Sequence, residues 1–343
     1  MKTNWMLCLG LSGLLLSGCG EKKENSLSEL QLSGNVESMR VRTYEAVEKF
    51  GEIEKGDLLV NDFHDNAFYE FNEDGMLTSL AFYDNYDDFR EKTIFEYDKN
   101  LLMSVSNYDA KGNKNHKAVY TYEEGFMKTE TVYDEDGVLD SRMVYKNDGR
   151  FVISGKRYMP KGDEPDSEIG FEDDEGYGAV DSVCTDDLLM DSAVAEVKEE
   201  PASDKKEKKV EKDPDQKEGE KLVYAYENTY QDDGKLVKSV GKNYYNGEVD
   251  YTSVTEYVWK GEWISQMKFD KDVVKFVRDD KGFITEIDGG IIAYGESIYP
   301  CLGEKYYYKY EFDDHGNWTK RTEYDGDAKQ PKRITVRVIS YAD

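Results

Sequence analysis

Lys117-Ala118-Val119-Tyr120-Thr121-Tyr122-Glu123-Glu124-Gly125-Phe126-Met127-Lys128-Thr129-Glu130-Thr131-Val132-Tyr133 is the stretch that decides the fold. It reads as two strands around a tight turn. Both arms are rich in Tyr, Val, Thr and Phe, side chains that suit a pleated surface. The turn carries Gly125, which tolerates the positive φ that short hairpin connections demand. In the second arm Met127, Thr129, Thr131 and Tyr133 face one way while Lys128 and Glu130 face the other. In the next strand Leu139, Ser141, Met143 and Tyr145 oppose Asp140 and Arg142. That is a period of two, the mark of a strand with two unlike faces. A helix is excluded, because Gly and Asp keep interrupting the chain and no 3.6-residue period is sustained.

The unit recurs. Tyr83, Tyr108, Tyr133 and Tyr158 fall 25 residues apart, and Leu77, Leu102 and Met127 keep that step, with Phe151 one residue early. A second aromatic series, Phe71, Tyr97, Tyr122 and Tyr145, follows at steps of 26, 25 and 23. Self-similarity at such a period is the signature of repeat architectures. Asp74-Gly75, Asp136-Gly137, Asp148-Gly149 and Asn246-Gly247 supply further turns. The expected fold is therefore all-β, a repetitive antiparallel β-hairpin meander forming a curved sheet. Its apolar face must be buried, by curling on itself or by packing on a second sheet.

Units of the form aromatic-Tyr-Asp…Gly-Leu…Tyr resemble the YD repeats of RHS-type proteins and, more closely, a group of YD-repeat lipoproteins of Bacteroides-like bacteria. Tyr310-Glu311-Phe312-Asp313-Asp314-His315-Gly316-Asn317-Trp318-Thr319-Lys320-Arg321 is similar to the closing unit of such proteins, with its Gly-Asn-Trp-x-Lys-Arg run. The resemblance covers residues 67–160 well and 222–341 less regularly. It implies consecutive antiparallel strands in one continuous YD-repeat-like curved sheet, and it implies no catalytic residue. RHS shells are far longer and enclose a toxin, and this chain has neither that length nor a cargo domain.

The amino terminus has the parts of a secretory signal: Lys2, an apolar stretch from Trp5 to Leu16, and the small residues Ser17-Gly18. Leu16-Ser17-Gly18-Cys19 resembles a bacterial lipobox, which implies cleavage before Cys19 and a diacylglycerol on its thiol. The apolar stretch is shorter than the ~20 residues a membrane-spanning helix needs. Two or three acyl chains are enough for stable attachment. Gly20, where an Asp would favour inner-membrane retention, leans the location to the outer membrane and leaves the periplasmic or surface face open.

The chain accordingly divides into a signal peptide (1–18), a tether (19–30), an N-terminal β-repeat segment (31–192), a charged low-complexity linker (193–221) and a C-terminal β-repeat segment (222–343). Val36 to Tyr44 and Leu58-Leu59-Val60 read as the first strands. Residues 198–221 hold eight Lys against nine Asp and Glu, too little apolar surface to offset ordering entropy.

The net charge of -28 excludes nucleic acid as a partner, since phosphate binding runs on Lys and Arg. It also repels anionic head groups, which leaves membrane attachment to the lipid on Cys19. A core is within reach because 27 Tyr and 14 Phe each bury a large area. Cys8 leaves with the signal. Cys184 and Cys301 remain in an oxidising compartment, either as a disulfide or as two buried free thiols.

His64, His116 and His315 are scattered, and no nucleophile elbow, P-loop or dinucleotide fingerprint occurs, so no catalytic residue, cofactor or metal is expected. Asp84-Asn85-Tyr86-Asp87-Asp88 and Asp173-Asp174-Glu175-Gly176 are the densest acidic stretches, and neither has EF-hand spacing. Trp259, Trp263 and Trp318 could stack on sugar rings, or fill a core. The function expected is that of a non-enzymatic cell-envelope lipoprotein, a binding or scaffolding module with a protein or glycan partner. The alternative is a carbohydrate-binding or accessory subunit of an outer-membrane uptake or secretion apparatus.

Overall fold

The structure is a computed structural model that describes residues 25–60, 65–162, 213–269, 272–289, 292–294, 297–299, 305–326 and 330–342. A short helix, α1 (Ser26–Glu29), precedes the strands β1 (Val36–Lys49), β2 (Glu52–Leu59), β3 (Asn66–Phe71), β4 (Leu77–Tyr83), β5 (Phe89–Asp98), β6 (Leu101–Asp109), β7 (Lys114–Glu123), β8 (Phe126–Tyr133), β9 (Leu139–Asp148) and β10 (Phe151–Pro160). After a long connection come β11 (Glu220–Tyr230), β12 (Leu236–Tyr245), β13 (Glu248–Lys260), β14 (Trp263–Phe269), β15 (Asp272–Arg278), β16 (Ile284–Asp288), the small pair β17 (Ile292–Tyr294) and β18 (Ser297–Tyr299), and finally β19 (Lys305–Phe312), β20 (Trp318–Asp325) and β21 (Gln330–Tyr341).

From β3 onward each strand pairs antiparallel with the next, and β16 skips the small pair to reach β19. The ring then closes: β1 pairs with β21 along one edge, Met39 opposite Ile339, and with β3 along the other, Met39 opposite Tyr69. The result is a closed antiparallel barrel of 18 strands. The expected all-β meander is present, but it is a closed barrel and not an open curved sheet. The physical reason is edge satisfaction. An open meander would leave β3 and β21 with free edges, and β1 fills both.

The repeat has a mechanical meaning. The register slips by one residue at Tyr83, Tyr108 and Tyr133, so each periodic tyrosine sits at a bulge. Bulges add twist and bend the strand, which a ring needs at regular intervals. The Asp after each tyrosine caps the turn. The Oδ1 atoms of Asp84, Asp109 and Asp134 accept from the backbone N–H groups two and four residues on, at 2.8–3.0 Å. Asx capping of this kind competes well with any helical alternative. At Asn246-Gly247 both residues have positive φ (50° and 82°), the backbone of a two-residue hairpin turn.

Met39, Val41, Ala67, Tyr69, Leu80, Phe82, Phe95, Val105, Ala118, Tyr120 and Val132 share one face and are all buried. Cross-strand pairing carries that face round the ring as the inner wall. It is tightly packed from β1 to β8, whereas Tyr224, Tyr226, Tyr257, Tyr308 and Tyr310 on the later strands are only half-buried. β10 pairs with β11 from Ser154 opposite Glu227 to Pro160 opposite Glu220, so both β-repeat segments belong to the same sheet.

Candidate functional site

One mouth of the barrel carries the turns 72–76, 99–100, 124–125, 149–150, 231–235, 261–262, 279–283 and 313–317. Just inside it runs a ladder of side chains. Tyr97 Oη donates to the Leu77 carbonyl (2.9 Å), Tyr122 Oη to Leu102 (2.8 Å), Asn147 Nδ2 to Met127 (2.8 Å), Tyr230 Oη to Val152 (3.0 Å), Trp259 Nε1 to Leu236 (2.7 Å) and Tyr310 Oη to Ile284 (2.8 Å). Each rung ties one hairpin to its predecessor. Burial pushes the Tyr97 and Tyr122 hydroxyls up to about 12, so they remain donors. Two of the sequence assignments shift by a residue or two. Val152, one residue after Phe151, continues the Leu77 series, and Asn147 rather than Tyr145 of the second aromatic series makes the rung.

Tyr145 instead faces the inner wall. Its hydroxyl donates to Glu130 Oε2 at 2.8 Å. Glu130 is 1% exposed and its Oε1 has no hydrogen-bond partner. Burial raises the Glu130 carboxyl above its usual range, against the pull of Tyr145 and the nearby Arg157 charge. Glu130 is therefore a buried acid that sequence alternation alone places with Lys128 on the face opposite Met127, Thr129, Thr131 and Tyr133.

The same mouth holds the N-terminal segment. Asn25 caps α1, with its Oδ1 accepting from the Ser28 N–H (3.1 Å) and its Nδ2 donating to the Asp74 carbonyl (2.8 Å). Leu27 and Leu32 join the core. Further on, Asn317 clasps the chain. Its Oδ1 accepts from the Ser33 N–H (2.6 Å), and its Nδ2 donates to the Ser33 carbonyl (2.8 Å) and to Tyr341 Oη (2.7 Å). Residues 25–30, expected as part of the tether, are thus docked against the barrel. The clasp also gives the Gly-Asn-Trp run of the closing unit a structural role.

The three tryptophans lie at this mouth. Trp318 is 6% exposed, with the Arg337 guanidinium 3.6 Å from its ring centroid and Tyr310 at its edge. It presents no open ring face. Trp259 is half-buried and spends its N–H on the ladder. Trp263 is 43% exposed, lies over Gly282 and carries Arg278 on its ring at 5.1 Å. Burial pulls the Arg337 guanidinium down to about 9.

In the acidic stretch from Asp84 to Asp88 two of the three carboxylates are taken: Arg90 holds Asp84, and both Arg40 and Arg42 hold Asp87 at 2.5 Å. Among the described residues no cluster of His, Cys, Asp and Glu could hold a metal ion. His116 lies beside Asp140, with burial lowering its imidazole, and His315 stacks on Tyr341 at 4.0 Å. Cys19, Cys184, Cys301, His64 and the stretch 173–176 lie outside the described residues.

The outer wall is charged. Arg40, Lys92, Lys117, Arg142, Lys156, Lys268 and Lys275 point outward from seven strands, and several pair with neighbours, as in Lys92–Glu70 (3.2 Å) and Lys305–Asp288 (3.2 Å). A lipid-facing wall would lose about 2–4 kcal/mol for each such base near the bilayer midplane. Among the described residues no helix is long and apolar enough to cross a membrane. On this outer wall Arg142 and Glu220 form a bidentate ion pair (2.9 and 2.5 Å) that pins the start of β11 to β9, and Lys156 and Tyr158 hold Asp213 (2.9 Å each). The end of the charged block, from Asp213, is therefore docked on the barrel.

No family model and no curated protein matches the chain. Among solved structures it is similar to a porin-like protein from Bacteroides uniformis (13% identity, 90% of this chain and 98% of that one, TM-score 0.32). A porin-like protein from Bacteroides vulgatus matches at 11% identity over 90% of this chain and 99% of that one, with a TM-score of 0.25. The TcdB2-TccC3 structure matches at 10% identity over 88% of this chain and 16% of that one, with a TM-score of 0.27. Likenesses this slight carry no assignment of fold family or function.

Proposed function

We propose that this chain is a non-enzymatic lipoprotein of the cell envelope, held at the outer membrane by acyl chains on Cys19, and that its barrel is a binding or scaffolding module. The observation that supports this reading best is the docking of residues 25–34 in one mouth. Asn25 is six residues beyond Cys19, and six extended residues span at most ~22 Å. An anchor at Cys19 holds that mouth towards the bilayer and turns the other mouth away from it. The charged outer wall adds support, because it leaves attachment to the lipid. The experiment is fractionation of Cys19→Ala. The variant is expected in the soluble fraction and the parent in the membrane pellet. Retention of the variant in the pellet after alkaline washing would overturn the anchor.

A further inference from the structure

β1 outruns the ring. β21 accompanies it to Glu45, opposite Arg333, and β3 only to Arg42, opposite Asn66. From Ala46 onward its one neighbour among the described residues is β2, paired from Ala46 opposite Lys55 to Lys49 opposite Glu52. The hairpin lies at the mouth opposite the docked N-terminal segment. β2 is eight residues long, and among the described residues nothing pairs with its second edge. A free edge of this length offers a row of backbone donors and acceptors to another chain.

The tip and the composition point the same way. Phe50 is fully exposed (107%) and sits at φ 55°, a conformation bulky residues rarely adopt. Ile53 is exposed beside it. Gly56 keeps the strand close to its neighbour, since a Cβ there would lie 2.6 Å from Val47 Cγ2. On β2 itself Glu52, Glu54 and Asp57 outnumber Lys55, and Glu54 also meets Lys49 of β1 at 3.6 Å. Self-pairing of two copies would set this acidic edge against itself, and like charges directly opposite are destabilising.

We propose that the hairpin 43–59 is a docking edge to which a partner protein adds an extended strand bearing Lys or Arg, with Phe50 as its aromatic anchor. The proposal deepens the reading of the barrel as a displayed binding module and rests on it. Strand addition takes affinity from main-chain hydrogen bonds and specificity from alternate side chains.

The test uses the full chain and three synthetic ten-residue peptides: alternating Lys and Val, alternating Glu and Val, and the Lys peptide N-methylated on alternate amides. The Lys peptide is expected to bind and to slow amide exchange within residues 52–59. The Glu and N-methylated peptides are expected to bind about tenfold more weakly or not at all. Phe50→Ser and Glu54→Pro are each expected to weaken the Lys peptide by a similar factor while the barrel amides of β7 and β8 stay protected. No binding, equal binding of the N-methylated peptide, or a parent dimer that Glu54→Pro dissolves would each overturn the proposal. Any of these leaves the membrane fractionation of Cys19→Ala untouched, so the anchor and the edge fail separately.

Discussion

Asn317 offers the sharpest test of how the N-terminal segment is held. Its side chain is fully buried and makes three hydrogen bonds, two of them to the backbone of Ser33. Asn317→Ala deletes all three. At about 1 kcal/mol net for each bond the loss is about 3 kcal/mol at most, and Ser33 is exposed, so water recovers part of it and about 2 kcal/mol is expected. Asn317→Asp separates geometry from chemistry. The carboxylate still accepts from the Ser33 N–H, but its second oxygen then faces the Ser33 carbonyl and shares Tyr341 with Asp313. At pH 7 this variant is expected to be no more stable than the Ala variant. In acid the new carboxyl takes a proton and donates to the Ser33 carbonyl again. Its folded pKa lies above its unfolded value, so the recovered stability is present at low pH and lost as pH rises through the folded value. Urea titrations at pH 4.5 and 7 measure the difference, and amide exchange at residues 27–34 locates it. Two variants both within about 0.5 kcal/mol of the parent, or an Asp variant with no recovery in acid, would refute the clasp.

Two further predictions concern buried charge. The Glu130 carboxyl is raised by burial, so its contribution is complete below its unfolded value near 4.5 and is lost as pH rises through the higher folded value. Glu130→Gln is expected to flatten the fall in stability from mildly acidic to neutral pH, as read by denaturant midpoints across that range, and an unchanged slope would remove Glu130 as its source. The side chains of Arg142 and Glu220 are 6% and 4% exposed. Breaking a buried pair from one side costs about 3–5 kcal/mol, so Arg142→Met alone is expected to be far more damaging than Arg142→Met with Glu220→Met. A double variant as unstable as the single one would show that the pair does not act as a unit.

Much of the fold was legible because its causes are local. Tyrosine at the bulge, aspartate at the turn and alternating side chains act within a few residues, so the period of 25 between Tyr83, Tyr108 and Tyr133 reported real hairpins. Legibility failed where a partner is distant in sequence. Asn147 and Tyr145 both sit near the expected position, and only the next hairpin shows that Asn147 makes the rung while Tyr145 turns to Glu130. Residues 25–30 read as part of a polar tether, and only the fold shows that Asn317, 284 residues beyond Ser33, clasps the segment that follows them. Trp318 reads from the sequence as a binding ring or as core, and Arg337 against its face settles that it is core.

The sequence by itself determined that the chain is built of antiparallel hairpins, that its strands alternate between two unlike faces, and that a lipobox-like tetrad precedes them. Closure into a ring was decided only by tertiary structure. An open curved sheet and a barrel carry the same alternation and the same turns, and they differ in whether Met39 finds Ile339. That pairing spans almost the whole chain, and no local pattern encodes it. It follows from the accumulated twist of the bulged strands and from the free energy of leaving no long sheet edge unpaired.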